Sequence, residues 1–484
     1  MPITTPMTSP AEAQETQHNL SLASIRQLSA TGTLDPGRLI HKVYDRIDMI
    51  ASEHPHVWIH LRPREDVVSE ASQLVQKFAC RPLPPLFGVP FAVKDNIDVA
   101  GIPTTAACPT YTYTPTETAH SVSRLLEAGA LLIGKTNLDQ LATGLSGCRS
   151  PHGSPRSIYG EGKYVSGGSS SGSGVAVASG MVAFALGTDT AGSGRVPASL
   201  NGIVGFKPTK GTVSARGVVP ACRSLDTVSV FATCVADARS VWQILDFHDS
   251  EDAYAKPSDI LPLRAMDYRG VADGGFTFIV PPPEALVGCD AKFQQLFSQT
   301  TAKLTSCGGR LVPLSAEDYA PFVSASDLLY TGTLVNERIA CIGPDFINAN
   351  LDNLHPTTRQ LFSAVLSRTT KPWDVFTDQI TQAQCIRKAQ QLFEKIDVMI
   401  LPGVPCHPTI AEMERDPIAL NARMGEFTHF ANVLDLCGVS FNAAFYKSEH
   451  GTMPFGISLT GATGMDGRVA DIAEHVETCL AAKV

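Results

Sequence analysis

Apolar and polar positions recur along this chain in two periods. Behind Asp35, an N-cap candidate, and Pro36 at the first helical position, Leu39, Ile40, Val43, Ile47 and Ile50 follow at helical spacing and predict an amphipathic helix lying on a larger body. Leu20 to Ser29, Ser69 to Phe78 and Ser121 to Ala128 read as further helices. Short apolar runs fall between and beyond them. Gly88–Lys94, Leu131–Ile133, Ser229–Phe231, Phe276–Val280, Leu311–Pro313, Val398–Leu401 and Pro454–Leu459 each read as a strand. Strands separated by helices predict an α/β fold with a largely covered sheet. Between about 315 and 396 the strand pattern fades and helical spacing takes over, which predicts a helical lobe.

Two Gly/Ser clusters interrupt this pattern, Gly167-Gly168-Ser169-Ser170-Ser171-Gly172-Ser173-Gly174 and Thr188-Asp189-Thr190-Ala191-Gly192-Ser193-Gly194-Arg195. Composition alone suggests flexible linkers. The intervening Val175–Gly187 is a run of small apolar side chains that reads as a packed helix entering a strand, and a linker has no reason to enclose one. Loops fixed by buried elements are instead where hydroxyls and backbone N–H groups can be aimed at a substrate.

Composition narrows the function. With 484 residues, 44% hydrophobic, 18% charged and a net charge of −9, the chain can bury a large core and offers no basic face for nucleic acid. Residues 1–18 are polar, with neither a basic nor an apolar segment of a signal peptide, and are expected to be a disordered tail. The apolar run 174–187 is too short to cross a bilayer, so a cytoplasmic location and no membrane partner are expected. The 12 cysteines are scattered without a C-x-x-C pair, which predicts reduced, mostly buried thiols rather than a disulfide framework or a metal site.

Gly129-Ala-Leu-Leu-Ile-Gly134-Lys135-Thr136 satisfies the phosphate-loop pattern by letter. Four apolar residues between its glycines predict a buried strand and a turn instead of an exposed phosphate cradle. Lys94 closes the apolar strand that starts at Gly88 and is followed by Asp95 and Asn96. At such a position a lysine is commonly a snorkelling surface residue. Beside two serine clusters with no histidine close in sequence, it becomes a candidate base for a serine nucleophile.

Gly88-x-Pro90-x-x-x-Lys94-Asp95, Gly134-Lys135-Thr136-Asn137, Gly167-Gly168-Ser169-Ser170 and Gly187-Thr188-Asp189-x-x-Gly192-Ser193, in this order and spacing, resemble the amidase signature family. The motifs cover roughly 85–220, and a weaker likeness extends over most of the remaining chain. The resemblance implies a large mixed, mainly parallel sheet covered by helices on both faces. It implies one amidase domain over 19–484, with a core at about 65–315 and 397–478 and a helical lobe at about 315–396. Position by position, Ser193 matches the family nucleophile, Ser169 the bridging serine and Lys94 the terminal base. The N–H groups of Thr190, Ala191, Gly192 and Ser193 match the oxyanion hole, and a cis peptide is implied between Gly168 and Ser169. No cofactor or metal is implied, and a homodimer is expected. Two departures are visible: Ala191 stands where the family usually has glycine, and Ser173 where a glycine often follows the serine pair. The spacing of 24 residues from Ser193 selects Ser169 over Ser170 and Ser171.

Further stretches are similar to the allophanate hydrolases of this family. They are Leu141-Ala142-Thr143-Gly144-Leu145-x-Gly147-x-Arg149-Ser150-Pro151-His152-Gly153, Leu329-Tyr330-x-Gly332-x-x-Val335-x-Glu337-Arg338, and the run from Asp416 to Cys437. Tyr330 and Arg338 match that group's substrate-contacting tyrosine and arginine, and Gly144 is carried over with them. The implied substrate is allophanate, a carboxylated urea and a small planar anion, whose carboxylate suits an arginine fork. Allophanate hydrolases commonly carry a further C-terminal domain, whereas this sequence ends about 25 residues after Pro454–Leu459. The amide step is expected regardless, because its residues lie within 94–338. Two other readings stand beside it: the glutamine-hydrolysing component of a tRNA-dependent amidotransferase, and a non-catalytic binding protein on the same scaffold.

Overall fold

The computed structural model describes residues 20–257 and 275–482, so the expected tail at 1–18 lies outside the described residues. Among the described residues eleven strands form one sheet: β1 (Trp58–Leu61), β2 (Pro90–Lys94), β3 (Leu131–Thr136), β4 (Phe184–Asp189), β5 (Val204–Lys207), β6 (Thr227–Ala232), β7 (Phe276–Ile279), β8 (Gly309–Leu311), β9 (Val398–Pro402), β10 (Cys437–Ser448) and β11 (Gly451–Gly461). Their spatial order is β1-β3-β2-β4-β6-β5-β10-β11-β9-β7-β8. The sheet is mixed, but the expectation that it is mainly parallel needs correction. Parallel pairing is confined to β2 with β3 and β4 and to β7 with β8 and β9, while the other six pairings are antiparallel. The hairpin β10–β11 in the middle of the sheet reverses direction and accounts for much of the difference.

The helix predicted behind Asp35 runs Pro36–Ile50, and the Asp35 carboxylate accepts the Arg38 N–H at 3.1 Å. The run after the first Gly/Ser cluster forms a helix, Ser171–Ala178, that leads into β4, and every residue of that helix is buried. Strands β2, β3, β4 and β6 are buried along their whole length, which is why they read as continuous apolar runs and not as alternating ones. Phe91 and Phe184 stack across β2 and β4 with centroids 5.2 Å apart. Between Ala316 and Phe393 the described elements are all helical, and Phe322 there packs edge-on against Phe430. No helix among the described residues is long and apolar enough to cross a membrane.

Lys135 and Thr136 of the phosphate-loop pattern lie inside β3, fully buried, and a Cβ on Gly134 would stand 2.4 Å from the His60 carbonyl oxygen. Gly134 therefore serves the close passage of β1. The expectation of reduced cysteines fails at one pair, because Cys307 and Cys479 are joined by a disulfide with Cα atoms 6.1 Å apart. They lie 172 residues apart in sequence, so no local spacing could signal the bond.

Lys135 is buried with an ion pair to Asp95 at 3.1 Å and bonds to the Pro103 carbonyl and Thr104 Oγ1. Lys135→Met strands the Asp95 carboxylate without its cation and is expected to lower the unfolding free energy by about 3–5 kcal/mol in urea denaturation. Adding Asp95→Asn should restore part of that loss.

Candidate active site

Strand β2 delivers Lys94 to the centre of the molecule with no exposed surface. Hydrogen bonds of 2.7 Å link its Nζ to Ser169 Oγ and to Thr188 Oγ1. No carboxylate lies within ion-pair distance among the described residues. Burial brings the amine down to about 7, although Asp139, Asp226 and Asp189 oppose the shift from a distance and the Arg338 charge assists it. A neutral Nζ can accept a proton from Ser169 along the bond that already joins them.

The serines of the first cluster have different partners. Ser169 faces Lys94 across a cis peptide with Gly168, whereas Ser170 Oγ donates to the Thr188 carbonyl and accepts the Thr188 N–H, stapling the cluster to the end of β4. Ser171 bonds the Asn137 carbonyl, and Ser173 bonds Leu186 O and Thr136 Oγ1. The additional serine at 173 is thus a packing residue. Gly168 and Gly144 both crowd the Asp139 carboxylate, which a Cβ would approach to 2.1 and 2.6 Å. Close approach explains Gly144 as a glycine, and the N–H groups of Gly147 and Arg149 hold that carboxylate in place.

The loop after β4 carries Ser193, 3% exposed. Asp189 organises it by accepting the N–H groups of Gly192 and Gly194 and both Nε and Nη2 of Arg195, all at 2.9–3.0 Å. Of the four donors expected for an oxyanion hole, Gly192 is therefore already engaged. The N–H groups of Thr190, Ala191 and Ser193 have no acceptor among the described residues and remain free to meet a developing oxyanion. Gly192 has φ +126°, and its Cβ would fall 2.2 Å from Thr428 Oγ1. Ala191 lies outside the left-handed region, which is why the departure from glycine is tolerated. Thr428 Oγ1 donates to Ala191 O, and Asn432 Nδ2 donates to Asp189 O.

Arg338 comes from the helix Leu334–Ile342 and is 5% exposed. Its Nη1 donates to Thr143 Oγ1 at 3.1 Å, and no carboxylate pairs with it among the described residues. Tyr330 ends the helix Ala316–Tyr330 and packs edge-on against His429 at 4.8 Å, whose imidazole burial pushes down to about 3. Sequence reasoning left Thr188, Asp189, Arg195, Asp226, Thr428 and Asn432 without roles. Asp226 takes the Thr190 hydroxyl at 2.5 Å, and burial pushes its carboxyl up to about 6 against that hydrogen bond and the Arg338 charge. The Leu225-Asp226-Thr227 stretch carries no local pattern that could have marked it.

The Amidase family profile matches residues 38–470. Urea amidolyase of Saccharomyces cerevisiae is 37% identical over 441 residues, 90% of this chain but 23% of that protein. A glutamyl-tRNA(Gln) amidotransferase subunit from Acidobacterium capsulatum is 32% identical over 420 residues, covering 81% of this chain and 85% of that one. Among solved structures, Kluyveromyces lactis allophanate hydrolase superposes with a TM-score of 0.82 at 35% identity, over 95% of this chain and 72% of its own. The chain spans about a quarter of the length of the urea amidolyases it matches.

Since only neutral Lys94 can accept a proton, kcat/KM for amide hydrolysis should rise with pH through about 7. A pH–rate profile checks this, and a flat profile across the neutral range would exclude Lys94 as the base.

Proposed function

Since the chain belongs to the amidase family, we propose that it hydrolyses allophanate with Ser193 as nucleophile, Ser169 as proton relay and Lys94 as base. Ser193 Oγ attacks the amide carbonyl carbon while its proton passes to Ser169, whose own proton moves to Nζ of Lys94. The free N–H groups of the Thr190–Ser193 loop hold the oxyanion, each well-placed donor contributing about 3–4 kcal/mol. Collapse breaks the C–N bond, and the proton stored on Lys94 returns through Ser169 to the leaving ammonia. Water, deprotonated along the same route, then cleaves the Ser193 ester. The released carboxycarbamate decomposes to ammonia and carbon dioxide.

One observation carries the proton path: a fully buried amine 2.7 Å from a serine hydroxyl, with no carboxylate within ion-pair distance among the described residues. The choice of amide rests on Arg338. A buried guanidinium bonded to a single threonine hydroxyl has donors to spare for a planar carboxylate. The likeness to Kluyveromyces lactis allophanate hydrolase supports the same choice. The likeness to the glutamyl-tRNA(Gln) amidotransferase chain, which extends over most of its length, favours glutamine as the second reading.

An ammonia-release assay over allophanate, biuret, urea, glutamine and malonamide separates the two. Allophanate should be the best substrate, and a preference for glutamine would favour the second reading. Arg338→Ala should raise the KM for allophanate at least about 30-fold, the loss expected from one buried charged hydrogen-bonding partner. An unchanged KM would remove Arg338 from substrate binding.

A further inference from the structure

Two carboxylates outside the proton path connect the helix that carries Arg338 to the loop that carries Ser193. Glu337, half-buried, accepts the Ser224 N–H at 2.7 Å, the Ser224 hydroxyl at 2.6 Å and the Cys222 thiol at 3.0 Å. The turn it grips closes on Asp226. That carboxylate, 7% exposed, accepts the N–H groups of Ala221 and Cys222 and the Thr190 hydroxyl. Neither acid has a Lys, Arg or His within ion-pair distance among the described residues. Asn432 Nδ2 joins the same two loops by donating to Asp189 O at 2.7 Å and Leu225 O at 3.1 Å.

Thr190 is where this chain of bonds ends, and its peptide N–H has no acceptor among the described residues. A peptide plane in a glycine-rich loop can rotate about its φ and ψ unless a side chain fixes it. The Asp226 bond to Thr190 Oγ1 supplies that restraint. At the other end, Arg338 immediately follows Glu337 and reaches in a different direction, to Thr143 Oγ1. The helix Leu334–Ile342 is thereby fastened to the 222–226 turn and to the Thr143 loop by two consecutive side chains.

We propose that Glu337 and Asp226 are positioning residues that hold the oxyanion loop and the Arg338 guanidinium in one frame, so that the substrate's anionic end and its scissile carbonyl are set at a fixed separation. The proposal rests on the reading of Ser193 as nucleophile and Arg338 as anion anchor. Misplacement of a reacting group by about 1 Å costs on the order of 100-fold in rate, so this coupling falls on turnover and not on stability alone.

The test uses the full chain and two readouts: the rate of Ser193 phosphonylation by a phosphonofluoridate, and kcat and KM for the best amide of the panel above. Rates are normalised to folded protein. Asp226→Asn and Thr190→Val should each slow phosphonylation and lower kcat about 10- to 100-fold with little change in KM, and the double variant should be no slower than the worse single one. Glu337→Gln, which keeps the side chain's shape, should slow phosphonylation at least about fivefold and also raise KM. Wild-type phosphonylation in Glu337→Gln, or fully multiplicative effects in the Thr190→Val/Asp226→Asn pair, would overturn the proposal. If Asp226→Asn does not fold, Thr190→Val alone carries the reading. Phosphonylation does not depend on which amide is the substrate, so losing the allophanate reading would leave this readout standing.

Discussion

A lysine amine held inside the sheet by two hydroxyls, with no carboxylate within ion-pair distance among the described residues, is the arrangement the rest of this structure has to sustain. Lys135, one strand away, shows the ordinary solution, an ion pair with Asp95 supplemented by two oxygen acceptors. Among the described residues Lys94 has Ser169 and Thr188 alone. Charging it there is costly, and that cost lowers its basicity to about 7, so that the neutral amine is populated near neutral pH. The arrangement persists because β2 is buried between β3 and β4, where the side chain has nowhere else to go.

Around that amine the two glycine–serine loops are rigid in different ways. The hydroxyls of Ser170, Ser171 and Ser173 each have a backbone acceptor, which leaves Ser169 as the one that meets Lys94. The second is wound about the Asp189 carboxylate and the Arg195 fork and pressed against Thr428. The Asp189 bonds use the Gly192 N–H, while those of Thr190, Ala191 and Ser193 have no acceptor among the described residues. Tyr330 and Arg338 stand on two helices of the 316–393 region, where Tyr330 packs against His429 and Arg338 donates to Thr143 Oγ1.

What the sequence disclosed follows from where the signals were local. An N-cap with a proline behind it, buried apolar runs, and an apolar filling inside a phosphate-loop pattern all act over a few residues, and each matched the structure. Lys94 and the serine clusters were legible because chemistry and family likeness converged on them. Contacts made across the chain were not. Strand β10 is buried on both faces in its first half and alternates only later, so it shows no single period. Asp226, Thr428, Asn432 and the Cys307–Cys479 bond depend on neighbours between 36 and 243 residues away. The antiparallel character of the sheet likewise depends on where the β10–β11 hairpin inserts, a choice made by packing.

The central claim is that Lys94 is neutral when the nucleophile is fired. An NMR pH titration of its amine in isotope-labelled Ser193→Ala protein, assigned by loss of the signal in Lys94→Arg, measures this directly. The account predicts a midpoint of about 7. A midpoint near the value of about 10.4 for free lysine would contradict it.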